Sequence, residues 1–226
     1  MQRFFDIVFS GLAILILSPL LIIIMFILKL TGEGEVFYKQ ERVGREGKTF
    51  NLLKFATMLK NSPNIGNKTI TIHNDPRVLP FGRILRKTKI NEIPQLFNIL
   101  VGDMSVIGPR PMIKSTFVQY ESEVQEAIKK VRPGLSGIGS IVFRDEETLL
   151  TNTKIDREKF YKQEILPYKG KLEKWYVENK SIYLYFVLIF LTIIVVINPK
   201  SSLYKKILNN LPQEPSIFNI ILGENK

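Results

Sequence analysis

Three arginines lie in or beside special segments of the chain, and their chemistry is that of phosphate binding. Arg110 stands between two prolines in Gly108-Pro109-Arg110-Pro111, which cannot be helical and holds the guanidinium on a stiff loop. Arg132 begins a second glycine-proline loop, Arg132-Pro133-Gly134-Leu135-Ser136-Gly137, and Arg86 lies in a strongly basic predicted helix. A guanidinium on a rigid support suits paired hydrogen bonds to a phosphate. For each arginine alone, a surface charge or a lipid-phosphate contact without chemistry stays open.

The pair Asn91-Glu92 supplies the next candidate groups. The pattern predicts Asn91 as the N-cap of an amphipathic helix, with Pro94 in the first turn and Gly102 as the C-terminal stop. The N-terminus of a helix offers free N–H groups to an anion. On spacing alone Glu92 complements the helix dipole, and Asp103 is either a second acid beside it or a loop residue.

Composition limits the metals and partners. The chain has no cysteine and one histidine, His73, to which we assign no role. Disulfides and cysteine or multi-histidine metal sites are therefore excluded, so any metal must have oxygen ligands, as Mg²⁺ does. The net charge of +11 suits nucleic acid, an anionic membrane surface or phosphorylated substrates. Because the aromatic-basic interleaving of single-strand binders is not evident, we expect no nucleic-acid partner.

The N-terminal segment has the composition of a membrane helix. No charged residue occurs from Ile7 to Leu28, over 22 positions, which suffices to span a bilayer. The run is too long for a signal peptide, and no small-residue cleavage site follows it. Ser18-Pro19 lies at its centre, where proline breaks or kinks a helix and serine returns a hydrogen bond to a freed carbonyl. Because Arg3 and Lys29 flank the run, we expect a re-entrant hairpin rather than a spanning helix.

The remaining chain divides into a charged domain and an apolar end. We take residues 1–29 as the re-entrant membrane helix, residues 30–180 as a cytoplasmic membrane-associated domain, and residues 181–226 as an apolar C-terminal helix and tail. A short strand is predicted at Val36-Phe37-Tyr38, and a second apolar-leaning stretch runs from Phe50 to Phe55. Helices are predicted to open at Asp75-Pro76-Arg77 and to run from Glu121 to Lys130.

The C-terminal apolar run, Ser181 to Ile197, carries no charge over 17 residues. As a helix it would be about 26 Å long, which is marginal for spanning. It fits either an interfacial helix or a short spanning one. The lysines that follow it are basic like the preceding domain, which favours the same side of the membrane.

Nine segments, in order along residues 1 to about 140, resemble the bacterial sugar transferases known as monotopic phosphoglycosyl transferases. They are Arg3-Phe4-Phe5-Asp6-Ile7, Leu17-Ser18-Pro19, Val36-Phe37-Tyr38-Lys39-Gln40 with Arg42 and Gly44, Lys54-Phe55-Ala56-Thr57-Met58, Gly82-Arg83 to Arg86, Asn91-Glu92-Ile93-Pro94-Gln95-Leu96, Gly102-Asp103-Met104-Ser105, Gly108-Pro109-Arg110-Pro111 and Arg132-Pro133-Gly134-Leu135-Ser136-Gly137. Each match alone is weak, and their order makes the set specific. Residues beyond 140 match more loosely.

The resemblance implies an α/β fold and a location. The fold combines a re-entrant N-terminal membrane helix, broken at Ser18-Pro19, with a small, mostly helical cytoplasmic domain, short strands and interfacial amphipathic helices. Residues 30–180 become the catalytic domain, which faces the cytoplasm from the bacterial inner (cytoplasmic) membrane. A homo-oligomer is left open.

The resemblance also implies an activity. Members transfer a sugar-1-phosphate from a UDP-sugar to undecaprenyl phosphate, which initiates exopolysaccharide, O-antigen or glycoconjugate synthesis, and they need Mg²⁺. Their catalytic dyad is Asp-Glu: the aspartate attacks the phosphate nearest the sugar, and the glutamate helps to bind the metal. The dyad falls on Asn91 and Glu92. The basic set that would bind substrate phosphates is Lys54, Arg86, Arg110 and Arg132.

Two positions depart from the family pattern. Asn91 replaces the aspartate, and a neutral amide is a poor nucleophile. Ala56 stands where the family usually has a basic residue, which weakens one phosphate or headgroup contact. Three interpretations follow: another nucleophile such as Glu92 itself, direct transfer to the lipid phosphate, or a catalytically impaired membrane scaffold or regulator that still binds polyprenyl phosphate.

Overall fold

The computed structural model describes residues 1–62, 75–144 and 157–218 and confirms the predicted mixture of helices and short strands. In chain order the elements are α1 (Gln2–Leu30), β1 (Phe37–Val43), β2 (Thr49–Phe55), α2 (Pro80–Lys87), α3 (Gln95–Val101), β3 (Ser105–Ile107), α4 (Lys114–Phe117), α5 (Ser122–Lys129), β4 (Gly134–Ser136), α6 (Ile138–Val142), α7 (Arg157–Phe160), α8 (Leu166–Glu178), α9 (Ile182–Ile197) and α10 (Leu203–Ile207). Turns of 3₁₀ helix occupy Arg45–Gly47 and Ile90–Glu92, and a π-helical turn, Tyr161–Ile165, joins α7 to α8. The predicted strand at Val36-Phe37-Tyr38 overlaps the start of β1, which pairs with β2. The apolar-leaning stretch from Phe50 to Phe55 lies in β2, and the predicted helix from Glu121 corresponds to α5.

The chain forms two compact units. We call Phe4–Glu41 with Asn51–Gly102 the N-terminal unit, and Met1–Arg3, Arg42–Phe50 and Asp103–Lys226 the C-terminal unit. The chain passes from one unit to the other within β1 and again within β2. The division by membrane environment near residues 29 and 180 stays a prediction.

α1 is a single helix that continues through Pro19 without a non-helical residue. The predicted break at Ser18-Pro19 is therefore not seen as an interruption, and the re-entrant topology stays a prediction. Pro19 lacks the N–H that would bond to the oxygen of Leu15, four residues earlier. The Ser18 hydroxyl donates to that same oxygen at 2.8 Å, so the serine replaces the donor that proline removes. Among the described residues, α1 is the one helix long and apolar enough to cross a membrane.

The second half of α1 forms part of the core of the N-terminal unit. The buried core residues come from three elements: Leu21, Ile24 and Leu28 of α1, Phe55 of β2 and Leu85 of α2. The positions in α1 recur at helical spacing, so one face of the helix packs against the protein. Other apolar side chains of α1 are exposed, among them Leu12, Leu15, Ile16 and Leu20. Such a surface is typical of contact with lipid or another apolar partner.

Gly82 allows α2 to lie directly on the segment that follows β2. A Cβ at this position would meet the backbone oxygen of Thr57 and would lie 2.8 Å from its Cα. Pro80 begins the helix, where its fixed φ is suited to the first turn. Arg86 follows Gly82 by four residues and therefore lies on the same face of α2. This backbone contact sets the position of Arg86.

Gly82→Ala is expected to destabilise the protein by about 1–3 kcal/mol, the usual cost of overpacking, because the backbone of Thr57 cannot rotate away. Thermal unfolding of the purified protein measures the effect. Gly11→Ala is the matched control, since a Cβ on Gly11 has nothing within 4 Å, and it is expected not to lower the melting temperature. An unchanged melting temperature for Gly82→Ala would contradict the close approach.

The C-terminal unit packs helices around one short parallel strand pair. Ser105 of β3 lies opposite Gly134 of β4, and Ile107 lies opposite Ser136. One buried cluster joins several elements of this unit: Val43, Phe117, Tyr120, Val124, Ile128 and Leu166. The Ser136 hydroxyl also hydrogen-bonds to that of Thr192 at 2.8 Å, which fixes α9 to β4.

α9 has one buried and one exposed apolar face. The buried residues are Leu184, Tyr185, Leu188, Leu191 and Val195, and the exposed ones include Tyr183, Phe186, Phe190 and Ile193. With 16 residues, the helix is about 24 Å long, shorter than the hydrocarbon core of a typical bilayer. Whether it lies at the interface or spans stays a prediction.

Candidate active site

Lys54 and Glu92 form an ion pair in the N-terminal unit. The Lys54 ammonium lies 2.9 Å from Oε1 of Glu92, and the two side chains are 19% and 21% exposed. Lys54 is the penultimate residue of β2, and Glu92 closes the 3₁₀ turn after α2. The pair is close enough to solvent for a ligand to reach it, and shielded enough for its charges to act strongly.

Asn98 fixes the strand that carries Lys54. Its Oδ1 accepts from the N–H of Leu53 at 2.9 Å, and its Nδ2 donates to the oxygen of Asn51 at 2.8 Å. The buried amide of α3 thus bonds both ways with β2, as a neighbouring strand would. Gly102, with a φ of 106°, ends α3 as predicted.

The prediction that Asn91 caps a helix is wrong. Lys89 has a φ of 61°, the chain then makes a 3₁₀ turn, and α3 begins only at Gln95. The N–H groups of Glu92, Ile93 and Leu96 bond to backbone oxygens three residues earlier, so they need no side-chain cap. The Asn91 side chain therefore does not cap either helical element.

The Asn91 side chain is instead buried beside Glu92. The residue is 6% exposed, and its Oδ1 has no hydrogen-bond partner within the described part of the chain. An unsatisfied buried acceptor costs about 1–3 kcal/mol. A buried acceptor of this kind can be satisfied by water, an ion or a ligand.

Arg86 lies close enough to Glu92 for their charges to interact. Its guanidinium is half-buried and donates to Oγ1 of Thr57 at 3.5 Å. Burial lowers the pKa of Arg86, and the carboxylates of Asp75 and Glu92 oppose that shift. A half-buried cation with this environment is well suited to receive an anionic ligand. Lys54, Arg86, Asn91 and Glu92 are therefore brought together in one unit.

Asp75 and Arg77 form a buried ion pair that the sequence did not predict. Arg77 Nη2 lies 2.6 Å and Nε 2.9 Å from the two oxygens of Asp75. This hydrogen bonding raises the pKa of Arg77. The predicted helix start at Asp75 is wrong, because α2 begins at Pro80. The sequence feature that could have indicated this ion pair is the acid and the arginine on either side of Pro76.

Arg110 and Arg132 lie on two hydrogen-bonded loops of the C-terminal unit. The N–H of Gly134 donates to the oxygen of Pro109 at 2.8 Å, and the N–H of Ser105 donates to the oxygen of Pro133 at 2.8 Å. The backbones approach so closely that a Cβ on Gly134 would meet the backbone of Gly108. The Arg110 side chain is exposed and Arg132 is half-buried. The predicted non-helical loop around Arg110 is confirmed, whereas Gly134–Ser136 of the second predicted loop form strand β4. The six predicted site residues fall into two groups, one in each unit.

Comparison with known proteins identifies the chain's relatives. The family described as bacterial sugar transferase matches residues 1–199. The chain belongs to the bacterial sugar transferase family. The resemblance stated from the nine segments is thereby confirmed.

Three relatives of this bacterial sugar transferase illustrate the range of sequence identity and of length covered. An uncharacterized sugar transferase of Haemophilus influenzae is 35% identical over 212 residues, which are 88% of this chain and 41% of the relative. The exopolysaccharide production protein ExoY of Rhizobium meliloti is 32% identical over 206 residues, 85% of this chain and 83% of ExoY. The UDP-glucose:undecaprenyl-phosphate glucose-1-phosphate transferase of Klebsiella pneumoniae is 36% identical over 197 residues, 85% of this chain and 39% of the relative. The chain thus spans about two fifths of the first and third relatives.

The donor set of this bacterial sugar transferase fits a substrate-assisted Mg²⁺ site. Among the described residues no group of three or more His, Cys, Asp and Glu side chains could hold a metal. His73 lies outside those residues. Glu92 and Asn91, whose Oδ1 has no hydrogen-bond partner in the described ranges, are oxygen donors adjacent in sequence. Mg²⁺ commonly takes one or two carboxylates together with substrate phosphates and water, so these residues fit such an ion.

Proposed function

We propose that this bacterial sugar transferase moves a sugar-1-phosphate from a UDP-sugar to undecaprenyl phosphate, the first step of exopolysaccharide or related glycoconjugate synthesis. An oxygen of the lipid phosphate bonds to the phosphorus that carries the sugar. The bond from that phosphorus to the bridging oxygen breaks, and UMP leaves with that oxygen. The product is a sugar joined to undecaprenyl diphosphate. The name of the Klebsiella pneumoniae relative states this reaction for glucose.

The observation that carries the proposal is that the segment containing Asn91 and Glu92 packs against the apolar helix α1. Ile90 and Ile93 flank Asn91-Glu92 in sequence and pack against the core cluster that contains Leu28 of α1. Asn91 and Glu92 are therefore held near the C-terminal end of α1. A soluble diphosphate and a lipid phosphate meet at such a boundary.

Both ends of α1 are fixed by contacts, each within one of the two units. The Gln2 amide donates to Oγ of Ser105 at 2.8 Å and to the oxygen of Ile107 at 3.1 Å, within the C-terminal unit. The last turns of α1 pack into the N-terminal unit through Leu28. Arg3 and Lys29, at the two ends of the apolar run, are both basic, as expected of segments on the cytoplasmic side of a membrane. We therefore propose that α1 enters and leaves the inner membrane from the cytoplasmic side.

Direct transfer is the mechanism that best suits Asn91. A neutral amide lacks the charge of a nucleophilic carboxylate, and the Glu92 carboxylate is engaged by Lys54. Lys54 and Arg86 are proposed to bind the diphosphate and to neutralise the charge that develops on UMP. Arg110 and Arg132 are proposed to bind substrate phosphate oxygens from the C-terminal unit. Glu92, with the Asn91 oxygen, would hold Mg²⁺, which supplies further neutralisation of phosphate charge.

UMP release tests the proposal. The purified full-length chain in nanodiscs, with Mg²⁺, undecaprenyl phosphate and a panel of UDP-sugars, is expected to release UMP with at least one donor. Initial rates at varied concentrations of both substrates are expected to give intersecting double-reciprocal lines, as direct transfer requires. Parallel lines would overturn direct transfer, and no release with any donor would overturn the function.

One observation favours a second function, because Asn91 removes the family's nucleophile. A membrane scaffold or regulator would bind polyprenyl phosphate through the same cations without transferring sugar. In that case the protein would bind undecaprenyl phosphate in a binding measurement and would yield no UMP with any donor in the UMP-release experiment.

A further inference from the structure

Glu173 is a buried acid on α8 with no role in the chemistry described above. The residue is 2% exposed. Its Oε1 accepts from the backbone N–H of Arg110 at 3.3 Å. Its Oε2 is buried without a hydrogen-bond partner in the described ranges. The carboxyl group therefore faces the Gly-Pro-Arg-Pro loop from inside the C-terminal unit.

The neighbouring helix leaves space for this carboxyl group. A Cβ on Gly139 of α6 would lie 2.5 Å from Oε1 of Glu173. Any larger residue at this position would displace the acceptor from the Arg110 N–H. The absence of a side chain at Gly139 thus allows Glu173 to accept the hydrogen bond from the Arg110 N–H.

Burial of the Glu173 carboxyl group costs free energy. Burial raises the pKa of Glu173 to about 7, because a carboxylate loses its hydration there. The charged groups that oppose this shift are Arg110 on the loop and Lys169 on α8 itself. The packed segment Ile138–Val142 of α6 has no titratable residue. A neutral apolar side chain would avoid the cost but would leave the Arg110 N–H without its acceptor.

We propose that Glu173 is the positioning residue for Arg110: by accepting the backbone N–H it holds the loop so that the guanidinium presents itself to a substrate phosphate. This inference rests on the proposed function, in which Arg110 binds the substrate. The prolines on both sides of Arg110 restrict the backbone dihedral angles of the loop. The hydrogen bond from the Arg110 N–H to Glu173 then fixes the orientation of the loop relative to α8. Glu173 acts through Arg110 and does not itself touch the substrate.

A double-mutant cycle on UDP-glucose binding tests the proposal. Calorimetry with the full chain in nanodiscs and Mg²⁺ compares wild type, Glu173→Leu, Arg110→Ala and the double variant. Glu173→Leu is expected to raise Kd about 10-fold, in line with loss of a charge-assisted hydrogen bond, but less than about 2-fold when Arg110 is already alanine. Glu178→Leu, an exposed acid on the same helix, is the control and should leave Kd unchanged. Equal effects in both backgrounds, or no effect, would overturn the proposal.

A pH series covers the case in which Glu173→Leu fails to fold. A carboxylate accepts an N–H more strongly than its protonated form does, so wild-type affinity should fall at least about 3-fold as the pH drops from 8 to 6. Glu173→Gln keeps an acceptor but cannot titrate, and Arg110→Ala removes the guanidinium, so both should lose this dependence. A wild-type pH response in either variant would overturn the proposal. UMP release with the panel of UDP-sugars reports on the proposed function: binding that depends on Glu173 without UMP from any donor would refute transfer alone, and no binding of any UDP-sugar in the panel by wild type would refute both.

Discussion

Glu92→Gln is expected to lower kcat for UMP release at least about 100-fold, within the usual range for removing a group that acts on the transition state. The substitution keeps the shape of the side chain but removes the charge that pairs with Lys54 at 2.9 Å. It also weakens the proposed hold on Mg²⁺. The Mg²⁺ concentration needed for half-maximal activity is therefore expected to rise with the loss of kcat.

The measurement is UMP release at saturating substrates with Mg²⁺ titrated. Glu123→Gln is the matched control: Glu123 pairs with Lys174 at 2.6 Å and its side chain is 80% exposed, so losing that pair should change neither kcat nor the Mg²⁺ requirement. Wild-type kcat in Glu92→Gln would exclude Glu92 from the chemistry. A loss of kcat accompanied by loss of membrane insertion would instead assign it a structural role.

Asn91→Asp is expected to raise the rate at least about 10-fold and to change the kinetic mechanism. A carboxylate at this buried position would restore the nucleophile implied by the family resemblance. The sugar-phosphate would then be held on the enzyme before the lipid phosphate takes it. Double-reciprocal plots should become parallel, and a phosphosugar adduct on the introduced carboxylate should be detectable by mass spectrometry without lipid acceptor.

Asn51→Asp provides the charge-matched control for this gain. Asn51 is an exposed residue of β2 in the same unit, so its substitution adds the same charge away from the candidate site. It should leave the rate and the intersecting pattern unchanged. If Asn91→Asp retains both as well, Asn91 does not occupy the nucleophile position.

Local features of the fold were predictable because short-range physics determines them. The apolar run that becomes α1 is visible in the sequence, and so is the serine that bonds to the carbonyl freed by Pro19. Gly102 ends α3 because it adopts a left-handed φ. The stiff loops around Arg110 and Arg132 follow from their prolines and glycines.

Features that depend on distant contacts were not predictable. Asn98 is an ordinary polar residue in a helix until β2 lies beside it. The Asn91 cap was wrong because backbone oxygens satisfied the N–H groups first. Glu173 lies 63 positions from Arg110, and no local pattern distinguishes it from Glu178, the exposed acid of the same helix.

Formation of the lipid product tests the central claim most directly. Full-length protein in nanodiscs with undecaprenyl phosphate, Mg²⁺ and the best UDP-sugar donor is analysed for lipid by mass spectrometry and for nucleotide by chromatography. The account predicts a sugar linked to undecaprenyl diphosphate and UMP in equal amounts. Unmodified lipid with every donor, or release of UDP with a sugar linked to undecaprenyl monophosphate, would contradict it.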